Sequence, residues 1–160
     1  MAYYPMIGKF YLDKTNIPVN YTGQYVTTNA STEHLGKYDY MVASATTPST
    51  NASAVNFQFK HLGALVRLKI NMKEASVLNW VDLVADEQEF IEIGYIDLTA
   101  EPPTIIPKDA KSKSFRISLN NISVEANEDL IAYFLMPPVD LRNKTLKAVI
   151  RKDNGYYQEI

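Results

Sequence analysis

The sequence contains no cysteine. That excludes disulfides, thiolate catalysis and cysteine-ligated metals. It leaves the compartment open, because an exported bacterial protein lacks cysteine as easily as a cytosolic one. Glycine is scarce, with six in 160 residues, which excludes a glycine-rich phosphate loop on count. No run approaches the roughly 20 apolar residues of a membrane span. Positive charge is not concentrated anywhere. Sixteen basic and eighteen acidic residues are well mixed, for a net charge of -2. A nucleic-acid partner therefore has no electrostatic support. The opening MAYYPMIGKF lacks the basic and apolar regions of a signal peptide, so any export signal is expected upstream of it. G-x-S-x-G, H-E-x-x-H and the D-x-D-x-D-G calcium loop are all missing. No paired carboxylates stand out for glycoside hydrolysis.

What is present is strand pattern. Hydrophobic residues make up 46% and charged residues 21%, enough apolar material for a core of ordinary size. A length of 160 residues favours one domain, with or without an extra arm. The stretch SAVNFQFKHLGALVRLKI, residues 53–70, reads as two strands joined by a short corner. Val55, Phe57 and Phe59 alternate with Asn56, Gln58 and Lys60. After His61-Leu62-Gly63, Ala64, Val66, Leu68 and Ile70 share a face opposite Arg67 and Lys69. Side chains in a strand alternate faces, so a period of two marks a half-buried strand. Both apolar faces are expected to be covered by a second layer.

Other strands are expected at Lys9 to Leu12, Tyr38 to Ala43, Leu78 to Ala85, Phe90 to Leu98, Thr104 to Ile106, Phe115 to Leu119, Leu130 to Met136 and Leu146 to Lys152. In Leu78 to Ala85, the core face is assigned to Val81, Leu83 and Ala85, with Trp80 at the rim. Gly94 predicts a bulge within its strand. The continuous apolar run Leu130 to Met136, stopped by Pro137-Pro138, predicts a central strand. Thr46 to Ala52 is a loop by composition, Asn71 to Leu78 a helical turn or crossing connection, and Asn120 to Asp129 a polar connection. Asp153-Asn154-Gly155 signals a hairpin turn, because Asn and Gly tolerate positive φ, and Tyr156 to Ile160 begins the returning strand. Short strands, regular turns and no long helix together predict an all-β fold, an antiparallel β-sandwich. The expected organisation is a tyrosine-rich extended arm or partial strands over 1–38 and a single sandwich domain over 39–160. The chain stops inside a hairpin, so that domain is expected to be incomplete at its C-terminal end.

Candidate chemistry is sparse. His34 has no ligand-spaced neighbour, and His61 reads as a corner histidine bonded to nearby backbone. Asp82, Asp86, Glu87, Glu89 and Glu92 read as a solvated turn rather than a cation site. No catalytic, cofactor-binding or metal-binding residue is expected, and no enzyme. Tyr3, Tyr4, Tyr11, Tyr21, Tyr25, Tyr38 and Tyr40 crowd the first forty residues. Exposed tyrosines suit protein or glycan contact, but here they are expected to anchor an arm poor in aliphatics. Asn20, Asn29, Asn51, Asn121 and Asn143 match the Asn-x-Ser/Thr pattern, as asparagine-rich loops do by chance.

The order DYMVAS, VNFQFKHLGALVRLKI, IGYIDL and AYFLMPPVDLRNKTLKAVIRKDNGYYQ resembles the fimbrillin family of Bacteroidetes. The resemblance rests on Asp39 to Ala43, Phe59 to His61, Ala64 to Ile70, Leu130 to Val139 and Ala148 to Tyr157, with Ala2 to Pro5 as the end of an earlier strand. It implies transthyretin-like Greek-key sandwiches on the cell surface, associated with the outer membrane. It implies fimbrial (pilus) subunits that take a neighbour's strand into a groove opened by removal of an N-terminal strand, a form of β-augmentation. The partners implied are other fimbrial subunits, a second copy, and host or bacterial surface ligands, with no nucleic acid and no cofactor. Against that pattern, this chain is expected to lack a lipobox cysteine and a second domain. Missing strands leave unpaired edges, so a homodimer or strand-swapped assembly is expected. The alternative reading is a surface-exposed glycan- or protein-binding module.

Overall fold

A computed structural model describes residues 2–5, 13–45, 56–155 and 157–159. The expectations placed on Lys9 to Leu12, Thr46 to Ala52, Val55, Tyr11, Asn51 and Tyr156 lie outside the described residues. The strands are β1 (Ala2–Tyr4), β2 (Ile17–Asn20), β3 (Met41–Ala45), β4 (Phe57–His61), β5 (Ala64–Asn71), β6 (Ser76–Ala85), β7 (Ile93–Asp97), β8 (Thr104–Pro107), β9 (Ser114–Val124), β10 (Asp129–Met136), β11 (Leu146–Lys152) and β12 (Tyr157–Glu159). The helical structure among the described residues is one 3-10 turn, Leu35–Lys37. The fold is therefore all-β, as the alternation predicted. The strands form four antiparallel sheets in the orders β1-β3-β4, β10-β5, β12-β11-β6-β9 and β2-β7-β8.

All four sheets contribute to one continuous hydrophobic core. Phe115 on β9 stacks on Phe134 of β10 at 5.8 Å and meets Phe90 at 6.2 Å. Each fully buried Phe or Leu contributes about 1.5–3 kcal/mol relative to exposure. Val81, Leu83 and Ala85 are buried as expected, and Trp80 sits at the rim under the Arg116 guanidinium, 4.0 Å from its ring.

Strand β9 runs further than its sequence pattern implied. Phe115, Ile117 and Leu119 are buried, and a strict alternation would bury residue 121 next. Instead Asn120 and Asn121 both take positive φ, 43° and 57°. The extra backbone moves the phase by one, and Ile122 and Val124 return to the core. Pairing with β6 slips at the same level, between Leu78 and Trp80. What reads as a polar connection is thus a bulged continuation of the strand. Of the two readings for residues 71–78, the connection is the one realised, and it is short. Met72 is buried in it, and β6 already begins at Ser76.

Three further expectations are corrected. Gly94 does not mark a bulge, since its register with β2 and β8 is regular. It is needed because a Cβ there would lie 2.5 Å from the Ile106 carbonyl oxygen. Strand β10 is not central. Its ladder partner among the described residues is β5, paired from Asp129↔Asn71 to Met136↔Ala64. The run reads as apolar because both its faces have work to do: Leu130, Ala132 and Phe134 enter the core, and Ile131 and Tyr133 are half-covered. Finally, β4 is not a half-buried strand. It pairs with β3 from Met41↔His61 to Ala45↔Phe57, and all five of its residues are exposed. The corner at Leu62-Gly63 carries the chain from one sheet to another, so β5 is covered while β4 is left outside the core. The hairpin turn is as expected: Gly155 has φ of 83° and its N–H donates to the Lys152 carbonyl at 3.1 Å.

Candidate functional site

The second edge of β10 faces the second edge of β9, and the segment from Tyr21 to Ala30 lies between them. On the β9 side the contact is backbone. Val26 N–H donates to the Ser118 carbonyl at 2.9 Å, and Ser118 N–H donates to the Gln24 carbonyl at 3.0 Å. This makes one parallel bridge, Tyr25↔Ser118.

On the β10 side, side-chain amides take the place of a strand. Gln24 is fully buried. Its Oε1 accepts from Leu135 N–H at 2.9 Å, while its Nε2 donates to the Leu135 and Tyr21 carbonyls. Asn29 repeats the arrangement. Its Oδ1 accepts from Ile131 N–H at 2.7 Å and its Nδ2 donates to the Asp129 carbonyl at 2.8 Å. Ala30 N–H then donates to the Ile131 carbonyl at 2.9 Å. A primary amide carries the same donor and acceptor as a peptide group, so it satisfies an edge without becoming a strand. An unsatisfied buried donor or acceptor would cost about 1–3 kcal/mol.

The tyrosines fasten this plug. Tyr21 and Val26 are fully buried, and the Tyr21 and Tyr40 rings meet edge-on at 5.1 Å. Tyr40 Oη accepts from Asn20 N–H at 3.0 Å, and Tyr38 Oη donates to the Gly23 carbonyl at 3.0 Å. Burial pushes the phenols of Tyr21, Tyr38 and Tyr40 up from their ordinary value. Tyr3 packs partly on the core, whereas Tyr4 and Tyr25 are exposed. The anchoring role expected of the set is thus realised by Tyr21, Tyr38 and Tyr40.

The other sequence candidates separate. His61 does not bond backbone: its Nδ1 lies 2.7 Å from Asp39 Oδ1, on the surface. The carboxylate won because the β3–β4 register sets His61 opposite Met41, two residues past Asp39. His34 is buried beside β10, neither ring nitrogen making a hydrogen bond within the ordinary limits, with the Tyr38 ring at 6.5 Å. Burial holds its imidazole below the ordinary 6.5. In the acidic set, Asp82 takes both arms of the Arg116 fork at 2.8 Å. Glu87 and Glu89 both pair with Lys144. Burial, with Asp82 nearby, raises Glu92. Protein cations thus already neutralise much of this set. Asn20 caps its own turn through Thr22, and Asn121 and Asn143 hold positive φ. Sequence reasoning missed Gln24 and Asn29, because a lone amide in a polar segment carries no periodic signal.

A family model described as fimbrillin-like matches residues 1–160. No curated protein matches the chain.

Proposed function

The chain belongs to the fimbrillin-like family of fimbrial and cell-surface proteins, typically non-enzymatic and structural, and from that membership we propose that it is a subunit that assembles by strand exchange. The observation that carries the reading is the covered edge of β10. Its outer groups are met by Gln24, Asn29 and Ala30 instead of by a strand ladder. A true strand from another subunit would offer β10 continuous backbone hydrogen bonds, and its alternate side chains would set its register. The plug satisfies the edge while the subunit is alone and leaves it replaceable.

On this reading the sheets form a transthyretin-like, Greek-key sandwich over 39–160, and residues 1–38 are its exchangeable arm. The continuous core supports a single packed domain, to which Ile17, Val19, Tyr21 and Val26 of the arm contribute. The partners are other fimbrial subunits or further copies of the chain. The product is a surface fimbria that adheres to host or bacterial ligands, with no catalytic step. The glycan- or protein-binding alternative loses support, because Tyr21 and Tyr40 are spent on the core.

The test is a cleavable arm. A protease recognition sequence placed at the exposed Thr32-Glu33 keeps the whole chain until it is cut. Cutting is expected to produce oligomers by light scattering, with the 1–32 fragment released. A cut chain that keeps its fragment and stays the size of the uncut one rejects the reading.

A further inference from the structure

The residues that β10 turns to its second edge are not all met alike. Leu135 and Ile131 point their N–H groups at Gln24 and Asn29. The ladder with β5 is regular, so Tyr133, midway between them, points its own N–H and C=O the same way. The side chain beside Tyr133 is His34, and the 3-10 turn that follows it packs against β10. Burial holds this imidazole below its ordinary value, and the Tyr133 backbone pulls it the other way to a lesser extent. The ring is 6% exposed, yet neither nitrogen makes a hydrogen bond within the ordinary limits. The edge is thus covered by an amide, an imidazole and an amide in turn, and the imidazole is the loosest of the three.

The surroundings offer a charged ring nothing. On its own segment, Glu33 and Lys37 are exposed. On β10 the titratable groups are the Tyr133 phenol and, at the start of the strand, Asp129, which is held by Lys69 and Asn71. On β5 Arg67 stands opposite Tyr133 and Lys69 opposite Ile131, both cationic. The Tyr38 ring is 6.5 Å away, with its hydroxyl donating to Gly23. A neutral imidazole carries one donor and one acceptor, as an amide does, whereas the protonated ring carries donors alone. A buried charge without a partner is driven towards water.

We propose that His34 is an acid-sensitive catch on the cover of β10, which opens from the Ile131 end when the imidazole takes up a proton while the rest of the fold stands. The end is set by what flanks the catch. Asn29 is exposed, whereas Gln24 is fully buried between the buried Tyr21 and Val26. Histidine is the side chain whose charge changes in mild acid, and the flanking amides have no charge to gain there. The opening follows from this geometry alone. Only its use, readying the edge in mild acid for another subunit's strand, rests on the proposed exchange.

The test is amide exchange on the uncut chain, with opening constants corrected for the intrinsic rate at each pH. Exchange at Ile131 should be insensitive to low urea, the mark of a local opening, whereas amides of β6 should follow global unfolding. Between about pH 7.5 and 5.5 the opening constant at Ile131 is expected to rise by up to about tenfold, the limit set by an ordinary exposed histidine. Leu135 should change less. His34→Gln puts a third amide beside Tyr133, and His34→Phe fills the site without a proton to gain. Both, folded by circular dichroism, should lose the rise, and His61→Gln should keep it. Equal opening at the two pH values, the same rise in both His34 variants, or exchange at Ile131 through urea-sensitive unfolding alone would each overturn the proposal. No sample is cut, so failure here leaves the cleavage experiment unaffected.

Discussion

Replacing Gln24 by leucine tests whether a side-chain amide truly stands in for a strand. Leucine is close to glutamine in size and buries more apolar surface, so packing alone predicts little loss. The hydrogen bonds predict otherwise. The Gln24 amide meets Leu135 N–H, the Leu135 carbonyl and the Tyr21 carbonyl. Gln24 is 0% exposed and Leu135 is 6% exposed, so water does not readily replace the lost partners. One orphaned donor and two weakened acceptors, less the gain from burying leucine, give a net loss of about 2–4 kcal/mol. For a chain of this length that lowers Tm by roughly 4–16 °C. Urea unfolding supplies the free energy, and amide exchange at Leu135 supplies the location. Gln24→Glu adds a control of sign. Its carboxylate accepts from Leu135 N–H but faces two carbonyls, so it should be destabilised at neutral pH. Protonation restores one donor, so part of that loss should return in mild acid. A Gln24→Leu chain within about 0.5 kcal/mol of wild type, the range of an ordinary surface change, and with unchanged protection at Leu135, would refute the reasoning.

Two other outcomes follow from particular residues. Gly94→Ala places a Cβ 2.5 Å from the Ile106 carbonyl oxygen, so β7 and β8 must separate. A loss of about 1–3 kcal/mol is expected, read by thermal melting, with amide protection along β8 falling first. His34 is buried neutral, with its pKa held below the ordinary 6.5. As pH falls through that value the unfolded chain takes up the proton first and binds more protons than the folded chain, so stability falls with falling pH. His34→Phe should flatten the acid side of the stability profile below about pH 6.5, measured by urea midpoints, and a profile parallel to wild type would count against the assignment.

The period of two along residues 64–70 and 78–85 was legible because a strand must put alternate side chains on opposite faces. Val66, Leu68 and Ile70 turn towards the core, as do Val81, Leu83 and Ala85, and the Asn154-Gly155 turn closes its hairpin. The family was legible for a related reason: its pattern is that same sequence of strands and corners. Phe57 and Phe59 alternate just as well, yet they face solvent. Alternation states that two faces differ, and it does not state what lies opposite either of them. The bulge in β9 was hidden because two asparagines read as a loop, although asparagine is also, after glycine, the residue that best tolerates positive φ.

The sequence by itself determined the all-β class, the phases of β5 and β6, the Asn154-Gly155 turn and the family, since each depends on residues close together in the chain. The tertiary structure alone decided which sheet each strand joins, that β4 stays outside the core, and that the amides of Gln24 and Asn29 cover β10. Gln24 and Leu135 are 111 residues apart, and Asn29 and Ile131 are 102 apart. A hydrogen bond over that separation depends on how the whole chain closes around its core, and no local pattern encodes it.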